Sequence, residues 1–142
     1  MGTGITPASS RPSFRESTPQ KTILVVEDEN FVCEVTGEIL ERSGYRVLRA
    51  ESTAAARELF YRHASEIDLL LCDAVLPDGN GLQLSEELQR QSPGLKIVLA
   101  SGYPPAALAR EGHQREWAHF LTKPYSAPAL LTRLKSALQA EA

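Results

Sequence analysis

Residues 22–28 read Thr-Ile-Leu-Val-Val-Glu-Asp, an apolar run that ends on two carboxylates. A continuous aliphatic run of this length is typical of a strand that is buried on both faces of a parallel sheet. Three further apolar runs end in the same way, on one polar residue each. They place Asp73 after Leu69-Leu70-Leu71-Cys72, Ser101 after Ile97-Val98-Leu99-Ala100, and Lys123 after Phe120-Leu121-Thr122. The carboxyl ends of parallel strands lie at one edge of a sheet, so these polar residues are predicted to meet there.

Helical patterns alternate with the predicted strands. Val32, Val35, Thr36, Ile39 and Leu40 line one helical face, which Gly44 can end in a left-handed turn. Ser52 is a predicted N-cap for the next helix. The remaining helix signals are Leu84 and Leu88 before Ser92-Pro93-Gly94, a short segment 106–110 between Pro104-Pro105 and Gly112, and the stripe Leu130, Leu131, Leu134 and Leu138.

The predicted strands are 22–26, a second that begins at Tyr45, and then 67–72, 95–100 and 118–121. The segment Asp73 to Gly81 contains Pro77, Gly79 and Asn80 and is predicted to be a loop. Five strand and helix units in alternation predict a single α/β domain. We expect a doubly wound five-stranded parallel sheet with the flavodoxin-like strand order 2-1-3-4-5, in three α/β/α layers.

Composition narrows the classes of function. The chain has 142 residues, enough for one domain, with 42% hydrophobic and 23% charged residues. No run approaches the length of a membrane span, so no membrane contact and a cytoplasmic location are expected. The net charge of −3 provides no basic stripe, which argues against direct nucleic-acid binding.

Two segments differ in composition. Residues 1–20 are rich in Gly, Ser, Thr, Pro and Arg without apolar periodicity, and are predicted to be a disordered linker or tail. Residues 21–142 are predicted to be the folded domain.

Cys33 and Cys72 lack metal-ligand or CxxC spacing and are interpreted as small buried residues in a reducing compartment.

The predicted edge of the sheet collects the residues that carry chemistry. Glu27 and Asp28 follow the first strand and Asp73 the third, and these strands are neighbours in the predicted order. Three carboxylates this close repel one another unless a cation is present, and oxygen ligands of this kind suit Mg²⁺ (or Mn²⁺). Any one of these acids could instead end a strand simply because strand ends contact water.

Lys123 and Ser101 extend the prediction from metal binding to phosphoryl chemistry. An ammonium group can offset the charge of a phosphoryl group, and a hydroxyl can donate to one of its oxygens. Asp73 could then accept the phosphoryl group as a nucleophile.

These motifs together resemble the response regulator receiver domain of two-component signalling. The resemblance extends from Lys21 to about Gln139 and rests on four motifs in matching order and spacing. They are Val25-Val26-Glu27-Asp28-Glu29, Asp73-Ala74-Val75-Leu76-Pro77-Asp78-Gly79-Asn80-Gly81, Leu99-Ala100-Ser101-Gly102-Tyr103 and Leu121-Thr122-Lys123-Pro124-Tyr125.

The resemblance implies a role for each site residue. Asp73 is then the phosphoacceptor, and Mg²⁺ is held by Asp28, Asp73 and the main-chain carbonyl of Val75, with Glu27 acting through water. Ser101 hydrogen-bonds a phosphoryl oxygen and Lys123 forms an ion pair with Asp73 or its phosphate. Phe120 matches an aromatic switch position, and the Lys123-Pro124 bond is expected to be cis.

The resemblance also implies a partner, namely a phosphohistidine on a sensor histidine kinase or a histidine phosphotransfer protein. No output domain follows the last predicted helix, and the favoured origin is the C-terminal receiver of a hybrid histidine kinase. A stand-alone regulator is the first alternative, and a Mg²⁺-dependent phosphatase or phosphotransferase is the second. A homodimer is only weakly indicated, because the Pro104-Pro105 start and Gly112 weaken the helix that would form it.

Two residues depart from the commoner pattern of the family. Val75 is apolar where many receivers carry a polar side chain, and Tyr103 places a bulky ring two residues after Ser101. Our hypothesis is that both shield an acyl phosphate on Asp73 and slow its hydrolysis. The alternative is that they only shape the rim of the pocket.

Overall fold

The computed structural model describes residues 20–103 and 119–140. In chain order the elements are β1 (Thr22–Val26), α1 (Asn30–Arg42), β2 (Arg46–Ala50), α2 (Thr53–His63), β3 (Leu69–Asp73), β4 (Val75–Leu76), β5 (Gly79–Asn80), α3 (Gly81–Gln91), β6 (Lys96–Ser101), β7 (Phe120–Thr122) and α4 (Ala127–Gln139). β4 and β5 form a small antiparallel hairpin, and the other five strands form one sheet.

The five-stranded sheet has the order β2-β1-β3-β6-β7, with all neighbouring strands parallel. This is the predicted flavodoxin-like order, since β6 and β7 are the fourth and fifth strands of the sheet. The register aligns the strand ends: Val26 pairs with Cys72, Asp73 with Ala100, and Ser101 with Thr122. The residues at the carboxyl ends of β1, β3, β6 and β7 therefore share one edge.

Alternation along each strand divides the core into two halves. Leu24, Val26, Leu70 and Cys72 pack against α2 and α3, whereas Ile23, Val25, Leu69 and Leu71 pack against α1 and α4. Successive side chains of a strand point to opposite faces of the sheet, so both faces of an aliphatic strand are buried. The described elements therefore form the predicted three α/β/α layers.

Local signals in the sequence define several helix ends. The hydroxyl of Ser52 accepts a hydrogen bond from the Ala55 amide, which confirms the predicted N-cap of α2. Gly44 follows α1 with a φ of 98°, a left-handed conformation that glycine adopts without steric cost.

The structure corrects some predicted boundaries. The predicted loop 73–81 contains the β4–β5 hairpin, in which Val75 pairs with Asn80. The third strand begins at Leu69 rather than Ile67, because the Ile67 amide still donates to the His63 carbonyl at the end of α2. The last strand is Phe120–Thr122 rather than 118–121.

Some predictions concern residues that the structure does not describe. Three predicted features lie outside the described residues: the tail up to residue 19, the helix 106–110 with its flanking Pro104-Pro105 and Gly112, and residue 118 of the last predicted strand.

Cys33 and Cys72 are both free and buried. None of the described helices combines the length and the apolar character that crossing a membrane requires.

Candidate functional site

Four strand ends bring the predicted polar residues to one edge of the sheet. Glu27 follows β1, Asp73 and Ser101 are the last residues of β3 and β6, and Lys123 follows β7. The side chains are buried to an unusual degree for polar groups: Glu27 is 4% exposed, Asp73 9% and Ser101 1%. Such groups are rarely buried without partners, so their contacts define the site.

Lys123 links the two buried carboxylates. Its Nζ donates to Oε1 of Glu27 at 2.7 Å and to Oδ2 of Asp73 at 2.9 Å. The Lys123 main chain is itself tied to the sheet, because its amide donates to the Ser101 carbonyl at 2.9 Å. The Lys123-Pro124 peptide bond is cis, as the resemblance implied.

The electrostatic balance of this group depends on burial. Burial raises the pKa of Glu27, and hydrogen bonds from Lys123 and from the Glu29 amide reduce that increase. Burial also lowers the pKa of Lys123, but the hydrogen bonds to Glu27 and Asp73 outweigh it and leave that pKa above the ordinary value. Lys123 is therefore held as an ammonium ion at neutral pH.

The carboxylates of Glu27, Asp28 and Asp73 form the acidic cluster of the site. One oxygen from each lies within 4.8 Å of the others. Asp28 is exposed at the surface, whereas Glu27 is buried beside Lys123. Carboxylate oxygens are the ligands that Mg²⁺ prefers, and a site with one or two carboxylates leaves positions for water and phosphate oxygens. The donor set of this cluster therefore fits a hard divalent cation.

The chain segment that follows Asp73 also contacts its carboxylate, at the oxygen that does not bind Lys123. The Val75 amide donates to Oδ1 of Asp73 at 3.2 Å, while Oδ2 accepts from Lys123. A Cβ on Gly81 would lie 1.9 Å from the Asp73 carbonyl oxygen, so only glycine lets the chain return this close to Asp73. The role of the Val75 carbonyl as a metal ligand stays a prediction.

Ser101 and Phe120 make contacts other than those that the resemblance implied. The Ser101 oxygen accepts a hydrogen bond from the Tyr103 amide at 3.0 Å, which leaves the hydroxyl proton for another acceptor. The Phe120 ring is half-buried against the core beneath α2 and α3. Its proposed switching motion stays a prediction.

The sequence did not predict two polar contacts beside the site. The Tyr125 hydroxyl and the Thr36 hydroxyl are 3.0 Å apart, which ties the loop after Lys123 to α1. The Asp78 carboxylate accepts hydrogen bonds from the Thr53 and Ala54 amides at the start of α2. Both contacts join residues far apart in sequence, so no local pattern reveals them.

Comparison with known proteins defines the family. Residues 23–135 match the response regulator receiver domain. The chain belongs to this family. As a receiver domain it is a phosphoacceptor module of two-component signalling, and such domains interact with histidine kinases or phosphotransfer proteins.

Two relatives from Brucella abortus illustrate the contexts in which similar receivers occur. The sensor kinase CckA is 35% identical over 118 residues, which are 83% of this chain and 12% of CckA. The response regulator receiver protein CpdR is 30% identical over 118 residues, which are 83% of this chain and 97% of CpdR. This receiver domain thus spans nearly all of CpdR but a small part of CckA.

Solved structures agree with the sheet order and with the family. The crystal structure of the receiver domain from the hybrid histidine kinase CckA is 30% identical and has a TM-score of 0.71. The alignment covers 83% of this chain and 99% of that domain.

Proposed function

We propose that Asp73 of this receiver domain accepts a phosphoryl group from a phosphohistidine in a two-component phosphorelay. The observation that carries the proposal is the position of Lys123, whose ammonium group contacts Asp73 and Glu27 at the edge where Asp28 completes the acidic cluster. A nucleophile, a fixed cation and a metal-compatible set of oxygens are the components that phosphoryl transfer needs.

The proposed transfer is a displacement at phosphorus. A carboxylate oxygen of Asp73 attacks, a P–O bond forms, and the P–N bond to the imidazole breaks. The bonding electrons go to the imidazole nitrogen of the donor. Lys123 offsets the charge on the transferred group, and the Ser101 hydroxyl donates its proton in a hydrogen bond to a phosphoryl oxygen.

Asp28, Asp73 and the Val75 carbonyl would hold Mg²⁺ (or Mn²⁺) in this proposal, with Glu27 acting through water. The bound cation would neutralise charge on the carboxylates and on the phosphoryl oxygens. Among the described residues, Lys123 supplies the one positive charge in an ion pair with this group of three carboxylates, which supports the need for such a cation. The hydrogen bond from the Val75 amide to Oδ1 restrains the Asp73 carboxylate.

A hybrid sensor histidine kinase is the parent protein that we favour. The 35% identity to CckA and the match to the CckA receiver structure support this origin, whereas the similarity to CpdR supports the stand-alone alternative. We place the reaction in the cytoplasm, where the free thiols of Cys33 and Cys72 stay reduced. Sequencing the coding region around this domain distinguishes the two origins, because the gene of a hybrid kinase also encodes a histidine kinase core in the same chain.

The test of the phosphoacceptor is incubation with phosphoramidate and Mg²⁺, followed by intact-protein mass spectrometry. We expect one phosphate adduct on the wild-type chain and none on Asp73→Asn, because an amide is not an effective nucleophile. The matched control is Asp68→Asn, since Asp68 lies at the opposite end of β3 and its carboxylate accepts from the Thr22 amide.

A phosphorylated histidine phosphotransfer protein then replaces phosphoramidate as the donor. We expect Asp73-dependent transfer with loss of phosphate from the donor histidine. No adduct on the wild-type chain with either donor would refute the proposal. An adduct that persists in Asp73→Asn would place the acceptor elsewhere.

A further inference from the structure

We propose that Asp78 is a positioning residue of the site, which acts through the hairpin of residues 75–80. The carboxylate anchors the tip of this hairpin to the first turn of α2, and the hairpin in turn holds the main chain of Val75 beside Asp73. The part of the inference that concerns Mg²⁺ and phosphate rests on the proposed function. The part that concerns the Val75 amide does not.

The anchor is a pair of hydrogen bonds between distant segments. Asp78 lies in the turn that joins β4 to β5, and its Oδ1 accepts from the Thr53 amide at 2.8 Å. Its Oδ2 accepts from the Ala54 amide at 3.1 Å. The first amides of a helix have no partner within the helix and carry partial positive charge, so they favour an anion. These hydrogen bonds lower the pKa of Asp78, and the carboxylate stays ionised at neutral pH.

The position that receives the hairpin tip is itself fixed. Thr53 is buried and packs against Gly79, where an added Cβ would lie 3.3 Å from the Thr53 methyl group. The Arg57 guanidinium donates to the Thr53 hydroxyl and forms hydrogen bonds to Glu87 of α3 at 2.9 Å and 3.1 Å. The tip is therefore bound to a helix end that contacts between α2 and α3 hold in place.

The hairpin transmits this restraint to the nucleophile. Val75 pairs with Asn80, and the Gly81 amide donates to the Ala74 carbonyl at 2.9 Å. At this end of the hairpin the Val75 amide donates to Oδ1 of Asp73. Strands of two residues are marginally stable by themselves, so a hairpin of this size depends on its anchors. Loss of the anchor at the tip is therefore expected to loosen Val75.

A second cap on α2, from Ser52, provides a way to distinguish the anchoring role of Asp78 from ordinary helix capping. Ser52 already caps the helix from its own N-cap position, through the Ala55 amide. The Ser52 contact is local and does not reach the hairpin, whereas the Asp78 contacts span 25 and 24 residues. Ser52→Ala therefore weakens the same helix end without releasing the hairpin, which makes it the matched control for Asp78→Ala.

The experiment compares Asp78→Ala, Asp78→Asn and Ser52→Ala in the full chain. The first readout is hydrogen exchange of the Val75 amide by NMR, which needs neither metal nor donor. We expect Asp78→Ala to speed this exchange about tenfold, and Ser52→Ala to leave it within about twofold of wild type. Asp78→Asn keeps an acceptor oxygen and is expected to restore most of the protection.

The second readout is Mg²⁺ affinity by isothermal titration, and the third is the rate of phosphorylation by phosphoramidate. Asp78→Ala is expected to weaken both several-fold, with Ser52→Ala close to wild type. Equal changes in the two variants would overturn the inference, because they would reflect only the stability of α2. Unchanged Val75 exchange in Asp78→Ala would also overturn it. If the wild-type chain neither binds Mg²⁺ nor accepts phosphate, the proposed function fails, and the exchange data still decide the role of Asp78.

Discussion

The site has a buried polar floor and an exposed apolar rim, which is the reverse of the usual distribution of polar and apolar groups. The floor is formed by Glu27, Asp73 and Ser101, which are at most 9% exposed. The rim carries the apolar side chains of Val75 and Tyr103, which are 54% and 58% exposed. Folding alone favours the opposite arrangement, with charges in water and apolar groups in the core.

This reversal shows that the two regions have different physical roles. Buried charge costs stability, and it is retained where a fixed ammonium group and a fixed nucleophile are needed for chemistry. The exposed apolar rim contributes little to the stability of the folded domain, and our hypothesis is that it shields an acyl phosphate on Asp73 from water. Substitutions on the floor are therefore expected to affect stability and reactivity together, whereas substitutions on the rim affect reactivity alone.

The largest effect is expected for Lys123→Met, which removes the ammonium group that contacts two carboxylates of the floor. The substitution leaves Glu27 and Asp73 buried without their cation, so the free energy of unfolding is expected to fall by about 2 to 3 kcal/mol. Phosphorylation by phosphoramidate is expected to slow markedly. Urea denaturation in metal-free buffer measures the stability change.

Two further variants test the cause of that loss. Adding Glu27→Gln to Lys123→Met removes one of the uncompensated charges and is expected to recover part of the stability. Lys135→Met changes an exposed lysine of α4 and is expected to alter the free energy of unfolding by less than about 0.5 kcal/mol. A comparable loss in both single variants would contradict the distinction between floor and surface.

A smaller effect is expected for the double variant Val75→Asn and Tyr103→Glu on the rim. Polar side chains at these positions can orient water toward the acyl phosphate, so the lifetime of phosphorylated Asp73 is expected to shorten several-fold. The unfolding transition is expected to change little. Loss of the phosphate adduct over time by mass spectrometry measures the lifetime.

Tyr61→Gln provides the control for the rim variant. Tyr61 is a tyrosine of α2 with similar exposure, 54%, and it contacts Glu87 rather than the site. The phosphoryl lifetime of Tyr61→Gln is expected to match wild type. An unchanged lifetime in the rim variant would support the alternative, in which Val75 and Tyr103 only shape the pocket.

The smallest effect is expected for Glu87→Gln, which tests an ordinary ion pair outside both regions. Arg57 and Glu87 are 39% and 28% exposed, so their pairing is expected to contribute less than about 1 kcal/mol. The hydrogen bond from Arg57 lowers the pKa of Glu87 below its ordinary value of 4.5. The contribution is therefore present above that value and is lost as the pH falls through the folded-state pKa. Urea denaturation from pH 7 to pH 3 is expected to show a difference from wild type that decreases as the pH falls.

Continuous aliphatic runs predicted the five strands of the sheet, because a strand buried on both faces needs such a run. The strand order came from the alternation of strands and helices, which is typical of a doubly wound, flavodoxin-like sheet. The N-cap at Ser52 and the helix end before Gly44 were also predictable, because both depend on local hydrogen bonds and backbone conformation. The β4–β5 hairpin was not predicted. Its two-residue strands lie in a segment whose Pro, Asn and Gly residues indicate only a turn.

The sequence by itself predicted which residues lie at the edge of the sheet, because each ends or follows a short aliphatic run that is typical of a buried strand. Tertiary structure decided how those residues are connected. It placed the Lys123 ammonium between two carboxylates, turned the Val75 amide toward Asp73, and fixed the hairpin tip to α2 through Asp78. The physical reason is that burial and partner geometry arise only when segments distant in sequence pack together, and these two factors determine what a carboxylate or an ammonium group can do.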